Sequence, residues 1–196
     1  MKYRLILLPF FLLLLMACGS EKQKKAASEK NSALSDTAKF YPLADYFKDQ
    51  IRDVDLGNFP LYRIQTINGK KDSAGISKET FARLAGLFLQ RSLSEPGIKI
   101  RYQETVFEDL STSSITLHYA PISDTETIKQ IDVLLDNQTR IVKRIFIRST
   151  YSKGDTLINE QCNWKSDKSF QINRSISYGK GIRKNELNFI NWNDRP

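Results

Sequence analysis

The sequence predicts an α+β fold: two N-terminal helices packed on an antiparallel β-meander sheet of about six to eight strands, either open or curved to a half-barrel. Three observations predict it. Two stretches between Phe40 and Leu89 repeat apolar residues at helical spacing, the chain from Ile98 onward alternates with a period of two, and short polar turns separate the alternating segments.

Each element has its own signal. Folding begins near Phe40, where Pro42 suits a first helical turn. Leu43, Phe47, Ile51 and Val54 then share one face, until Gly57-Asn58 and Pro60 end the helix. Leu61 to Ile67 reads as a strand, Asn68-Gly69 as a hairpin turn, and Lys70 to Asp72 as its brief return arm. Ser77 N-caps a second helix whose buried stripe is Phe81, Leu84, Ala85, Phe88 and Leu89, with Ser94, Pro96 and Gly97 as breakers. Gly86 within it costs ~1 kcal/mol against Ala, and either lets the helix lie close on the sheet or is simply tolerated.

The strands follow. Ile98, Ile100 and Tyr102 alternate, then Ile115, Leu117 and Tyr119, then Ile131, Val133 and Leu135. Beyond a turn at Asp136-Asn137-Gln138, Ile141, Ile145 and Ile147 continue one face. Turns at Ser152–Asp155 and Lys165–Lys168 lead into Leu157–Trp164 and into Phe170, Ile172, Ile176 and Tyr178. The last strand carries Leu187 and Phe189 on one face, and Ile190 and Trp192 on the other. Strands with one apolar and one polar face describe a sheet covered on one side.

Ahead of this domain (residues 40–196) the pattern differs. Lys2 and Arg4 precede an apolar run, Leu5 to Met16, that only Pro9 interrupts, and Leu15-Met16-Ala17-Cys18 closes it. This is the layout of a secretory signal peptide, too short for the ~20 apolar residues of a bilayer span. The Leu-x-Ala-Cys ending resembles the lipobox of bacterial lipoproteins. The resemblance implies that residues 1–17 are a removed signal peptide and that Cys18 carries a diacylglyceryl thioether and usually an acylated amino end. The chain would then be held on a membrane, since each buried CH₂ adds ~0.8 kcal/mol and two or more chains anchor stably. By the sorting rule known for many such lipoproteins, Gly19 rather than Asp after the cysteine favours the outer membrane, with its periplasmic and surface faces both open. Residues 18–39, rich in Lys, Ser and Ala, read as a flexible tether. Lys22, Lys24, Lys25 and Lys30 within it are either simply solvated or drawn to anionic headgroups.

The formal charge of +8 includes Lys2 and Arg4, which the signal peptide would remove. An exported chain with no basic helix or Gly-aromatic motif excludes nucleic acid as a partner. Of two cysteines, Cys18 is committed to lipid, so Cys162 has no partner for an internal disulfide. With Ile158 and Trp164 on its face of the strand, it reads as a buried small hydrophobe rather than a nucleophile.

Catalytic constellations are missing. His118 is the one histidine, with neither a second His for zinc nor a paired nucleophile, and reads as a surface or ligand-facing residue. Phosphate loops, the GxSxG elbow, HExxH and the EF-hand do not occur, so neither an enzyme nor a metal or cofactor is expected. Acid pairs such as Asp53/Asp55, Glu104/Glu108 and Glu108/Asp109 are the common solvated kind. The candidates for ligand or partner contact are Arg144 and Arg148, on one side of their strand, His118, and Arg174, which interrupts an apolar row. An arginine on such a face is paired, snorkels to water, or meets an anion. Tyr151, Tyr178, Trp164 and Trp192 either rim a cleft or close the core edge.

Asp36-Thr37-Ala38, Asp72-Ser73-Ala74 and Asp155-Thr156-Leu157 resemble the Asp-Ser/Thr-apolar sequon of the general O-glycosylation system of the Bacteroidota, implying glycans on Thr37, Ser73 and Thr156. With the lipobox, the chain resembles uncharacterised lipoproteins of that phylum. Three roles remain: a non-catalytic module binding an envelope protein or glycan, a carrier of lipid or another hydrophobic ligand, and, least supported, an envelope-modifying enzyme.

Overall fold

The computed structural model describes residues 40–95, 97–179 and 181–194. The lipobox, Cys18, the tether and Thr37 lie outside them. The described chain runs α1 (Leu43–Leu56), β1 (Tyr62–Ile67), β2 (Lys70–Gly75) and α2 (Lys78–Leu89), then a 3₁₀ turn (Lys99–Arg101). Seven strands follow: β3 (Tyr102–Asp109), β4 (Ser114–Pro121), β5 (Ile128–Asp136), β6 (Val142–Lys153), β7 (Thr156–Lys165), β8 (Ser169–Tyr178) and β9 (Arg183–Asn191).

All nine strands join one antiparallel sheet in the order β2-β1-β9-β8-β7-β6-β5-β4-β3. Three expectations need correction. The helices do not stand together ahead of the sheet, because the β1–β2 hairpin lies between them in sequence and is stitched to β9. The strand count is nine, not six to eight. The difference lies at the two edges: the brief return arm is a six-residue strand, β2, and β3 runs on from Tyr102 through mostly exposed residues to Asp109, where apolar alternation has little to encode. Nor does the sheet curl to a half-barrel. It stays open, with β2 and β3 as opposite edges. Those edges carry Lys70, Lys71 and Asp72 on β2 and Glu104, Glu108 and Asp109 on β3, the charged blunting typical of unpaired edges.

Two local readings also change. Ile98 and Ile100 do not begin a strand: Lys99–Arg101 winds into the 3₁₀ turn and leaves Ile100 exposed, so the alternation starts at Tyr102. On β6, Ile141 is exposed and Val142 buried. Leu134 pairs with Arg144 but Leu135 with Val142, so Lys143 is the extra residue of a bulge that reverses the facing.

One face of the sheet is covered by α1 and α2, and aromatic rings fill the space between. Trp164 stacks on Phe170 (5.0 Å), while Phe88 meets Trp164 (4.9 Å), Phe47 (5.3 Å) and Phe170 (5.3 Å). Phe81 contacts Trp192 edge-on at 5.3 Å. Such ring pairs contribute ~0.5–1.5 kcal/mol each beyond area burial. Trp164 and Trp192 therefore close the core rather than rim a cleft. The indole N–H of Trp164 donates to Gln50 Oε1 (3.2 Å), which also accepts from the Asp167 backbone (2.9 Å), while Gln50 Nε2 donates to Asp167 Oδ1 (2.6 Å). One buried amide thereby ties α1 to the β7–β8 turn.

The ends of the elements follow their sequence signals. Ser77 Oγ accepts from the Thr80 N–H as an N-cap. Gly57 ends α1 where a Cβ would collide with the Phe59 ring. Asn68 and Gly69 both take positive φ, the geometry of a tight hairpin. Gly86, by contrast, does not mark a close approach, since a Cβ there would meet nothing within 4 Å. Gly86→Ala should thus raise stability by about 1 kcal/mol, read as a higher urea midpoint at unchanged m-value. A lower midpoint would mean that the position needs glycine.

Candidate functional site

The alternation that buries one face of β6–β9 exposes the other, against which no described element packs. Ladder partners fix its rows. Arg144, Lys165 and Ser169 stand side by side, and next to them Phe146, Asn163, Gln171 and Phe189. Arg148, Gln161, Asn173 and Leu187 form the third row, and Thr150, Asn159, Ser175 and Asn185 the fourth. Ser152, Leu157, Ser177 and Arg183 complete the outward positions. These positions hold four cations, seven amides (counting Asn191), and no carboxylate.

Two hollows cross this face. One, of about 320 Å³, is lined by Asn173, Ser175, Asn185 and Leu187, with the charged Arg174 and Glu186 also at its wall, and reaches Thr66 and Gly69. The other, of about 580 Å³, is lined by Arg148, Thr150, Lys129, Asp124 and Glu160. Both include Asn159 and Gln161, so they join into one trough running across the strands. A smaller hollow of about 160 Å³ lies beside Arg144, Asn163, Gln171 and Phe189 and is closed by Asp194, which pairs with Lys165 at 2.6 Å. Thr150 Oγ1 donates to Asn159 Oδ1 (2.9 Å), and Asn191 is engaged by Asp194. The side chains of Gln161, Asn163, Gln171 and Asn173 make no hydrogen bond among the described residues. Arg144 and Arg148 have no carboxylate within salt-bridge distance among them.

Of the predicted contact residues, Arg144, Arg148 and His118 are on this outer face. His118 sits toward the β3 edge, its Nδ1 2.6 Å from Asp132 Oδ1, with Gln130 Nε2 donating to Asp132 Oδ2 at 2.6 Å. The Phe107 ring lies 6.2 Å away, edge-on. This arrangement holds the imidazole by a carboxylate.

Arg174 is not brought to the same place. It lies on the inner face, where its Nε donates to Glu160 Oε2 at 2.6 Å. Glu160 has a fully buried side chain and is also met by Arg91, Nε to Oε1 at 3.3 Å. Arg91 in turn lies over the Tyr151 ring, 5.1 Å from its centre. Desolvation pulls the Arg174 pKa down, but the hydrogen bond and charge of Glu160 outweigh it and raise the value overall. Arg174 is thereby a paired core cation. Glu160 and Arg91 went unnoticed in sequence. The signal for Glu160 was available, since it alternates with Ile158, Cys162 and Trp164.

Cys162 is buried, and burial, followed by the charge of Glu160, pushes its thiol pKa up. The thiolate being the reactive form, Cys162 should resist iodoacetamide in the folded protein and react only on unfolding. A Cys18→Ser variant gives the clean readout, and rapid alkylation under native conditions would contradict the assignment.

Ser73 is exposed on the edge strand β2, its N–H bonded to Asp72 Oδ1 (2.9 Å), and Thr156 is half-buried beside the β6–β7 turn. Among the described residues, no cluster of three His, Cys, Asp or Glu side chains is placed to hold a metal ion, and no helix is long and apolar enough to cross a membrane. No protein-family model, curated protein or solved structure matches this chain.

Proposed function

We propose that the chain is a lipid-anchored envelope lipoprotein, probed by its surroundings through the outer face of β6–β9, and that it acts as a non-catalytic binding module. The observation that carries this reading is the composition of that face. Solvent alone would be served by lysine and glutamate in mixture. The outward positions of these strands instead present unpaired arginines, two phenylalanines and four amides free of partners among the described residues (Gln161, Asn163, Gln171 and Asn173). The carboxylate of Asp194 reaches in to pair with Lys165. Arg, Phe and uncommitted amides are groups that gain from a partner. The lipobox sequence around Cys18 supports the anchoring, and Gly19 the outer membrane.

The carrier reading has less support. Its chamber would lie between sheet and helices, where Phe47, Phe88, Trp164 and Phe170 pack. The hollow of about 470 Å³ between α1 and α2 is lined by the apolar Ile51, Val54, Phe81, Ala82 and Leu89 together with the charged Lys48, Arg52, Asp55, Lys78 and Glu79.

A photo-crosslinking residue at Asn163, in protein produced in its own cells, tests the binding surface. An adduct formed from Asn163 and not from Glu79 on α2 is the expected result. Equal labelling at both positions, or none at Asn163, would overturn the reading.

A further inference from the structure

We infer that the ligand of the outer face is an acidic polysaccharide, laid across the strands along the trough; this rests on the binding-module reading above and names its ligand class. Three properties of the face point to that chemistry.

The first is shape. The trough crosses β6, β7, β8, β9 and β1, and at ~4.8 Å per strand that is about 19 Å of continuous floor. An elongated polymer fits such a floor better than a compact small molecule. The second is hydrogen-bonding chemistry. Each amide offers two donors and an acceptor, and each hydroxyl offers both roles, so rows of Asn, Gln and Ser match a ligand whose every unit presents hydroxyls. Phe146 and Phe189, in one row with Asn163 and Gln171 between them, add two apolar rings at which the C–H faces of sugar rings can rest. The third is charge. Arg148 lines the trough and Arg144 stands one row beyond the Phe146 row, neither with a carboxylate in salt-bridge distance among the described residues. The trough's carboxylates Glu160 and Glu186 are already answered by Arg174 and Lys184, and Asp124 lies at its far border with Lys129. Arginine forks suit carboxylate geometry. A neutral glycan would leave both guanidinium groups unanswered.

An acidic peptide shares the charge but not the dense hydroxyls. The test therefore uses full-length protein in nonionic detergent, with polygalacturonate, dextran and polyglutamate as probes in affinity electrophoresis. Polygalacturonate should retard the protein, with apparent affinity at least tenfold above dextran and above charge-matched polyglutamate. Arg144→Gln with Arg148→Gln should weaken it about tenfold or more, although the tether lysines are untouched. Asn173→Ala, which leaves net charge unchanged, should weaken it several-fold, which simple ion exchange would not. A circular-dichroism melt of each variant confirms that it is folded. Equal retardation by polyglutamate would overturn the glycan assignment and leave the face as a protein-binding surface. Equal retardation by dextran would overturn the acidic character. If no probe is retarded while Asn163 still crosslinks specifically, the glycan inference fails alone; if Asn163 also fails, the binding-module reading falls with it.

Discussion

Arg174→Leu should lower the unfolding free energy by about 3–5 kcal/mol, among the largest losses any single charged residue here can cause. The reason lies in Glu160. Its side chain has no exposure to water, and Arg174 holds it at 2.6 Å while Arg91 approaches at 3.3 Å with poorer geometry, so that Glu160 Oε1 and Arg91 Nε make no proper hydrogen bond. Deleting Arg174 leaves a buried carboxylate with half of its compensation. Replacing the pair together, Glu160→Met with Arg174→Leu, should recover most of the loss, because an apolar pair of similar volume needs no compensation at all. Arg91 is then free to turn its head to water while keeping its stem on Tyr151. Urea denaturation of the two single variants and the double variant forms a complete cycle. A loss below 1 kcal/mol for Arg174→Leu would mean that Arg91 or water compensates Glu160 in the folded protein.

Phe88→Ala should be comparably severe, about 3–5 kcal/mol. Phe88 is fully buried in α2 and touches Phe47 from α1, Trp164 from β7 and Phe170 from β8. It is the ring through which both helices and the sheet meet, so the cavity left by its removal has rigid walls on three sides. Its neighbours are large and held in place, Trp164 by the bond to Gln50 and Phe170 by the stack on Trp164, and they cannot collapse inward. The thermal midpoint should fall by roughly 10 °C for a domain of this size. Phe88→Leu, which keeps most of the volume, should lose less than half as much. Equal losses for Ala and Leu would show that ring-specific contacts, not volume, dominate.

The period-two pattern made the inner face of the sheet readable, because burial on one side is what forces alternation. Ile131, Val133, Ile145, Ile147, Phe170 and Ile172 were legible for that reason, and each is buried. The pattern was absent from β2, legible only through the Asn68-Gly69 turn, and from β3 beyond Tyr102, where most positions are exposed, and it was misleading at Ile141, where the Lys143 bulge slips the phase by one residue. Likewise Ile98 and Ile100 alternate by chance in a segment that turns. At the site, alternation placed Arg144 and Arg148 together correctly. It also held the amide rows at 159, 161 and 163 and at 171 and 173, but polar residues on a polar face draw no notice until their neighbours across the ladder are known. Arg174 shows the reverse: its oddness was visible, and its partner Glu160 sat in plain view on the adjacent strand, but pairing needs register, which one sequence does not give.

The ladder between β1 and β9 has a temporal consequence. The first strand of the fold has only the short, charged β2 on one side, and on the other it needs a strand that ends at Asn191. Both helices depend on late partners too, since Phe47 and Phe88 wait for Trp164 and Phe81 waits for Trp192. As the chain emerges from synthesis, β1 therefore has only β2 beside it until β9 is made, and the two helices have only each other until Trp164 arrives. Such a polypeptide keeps its first strand threadable until β9 is made, and β9 then joins the two ends of the sheet's sequence.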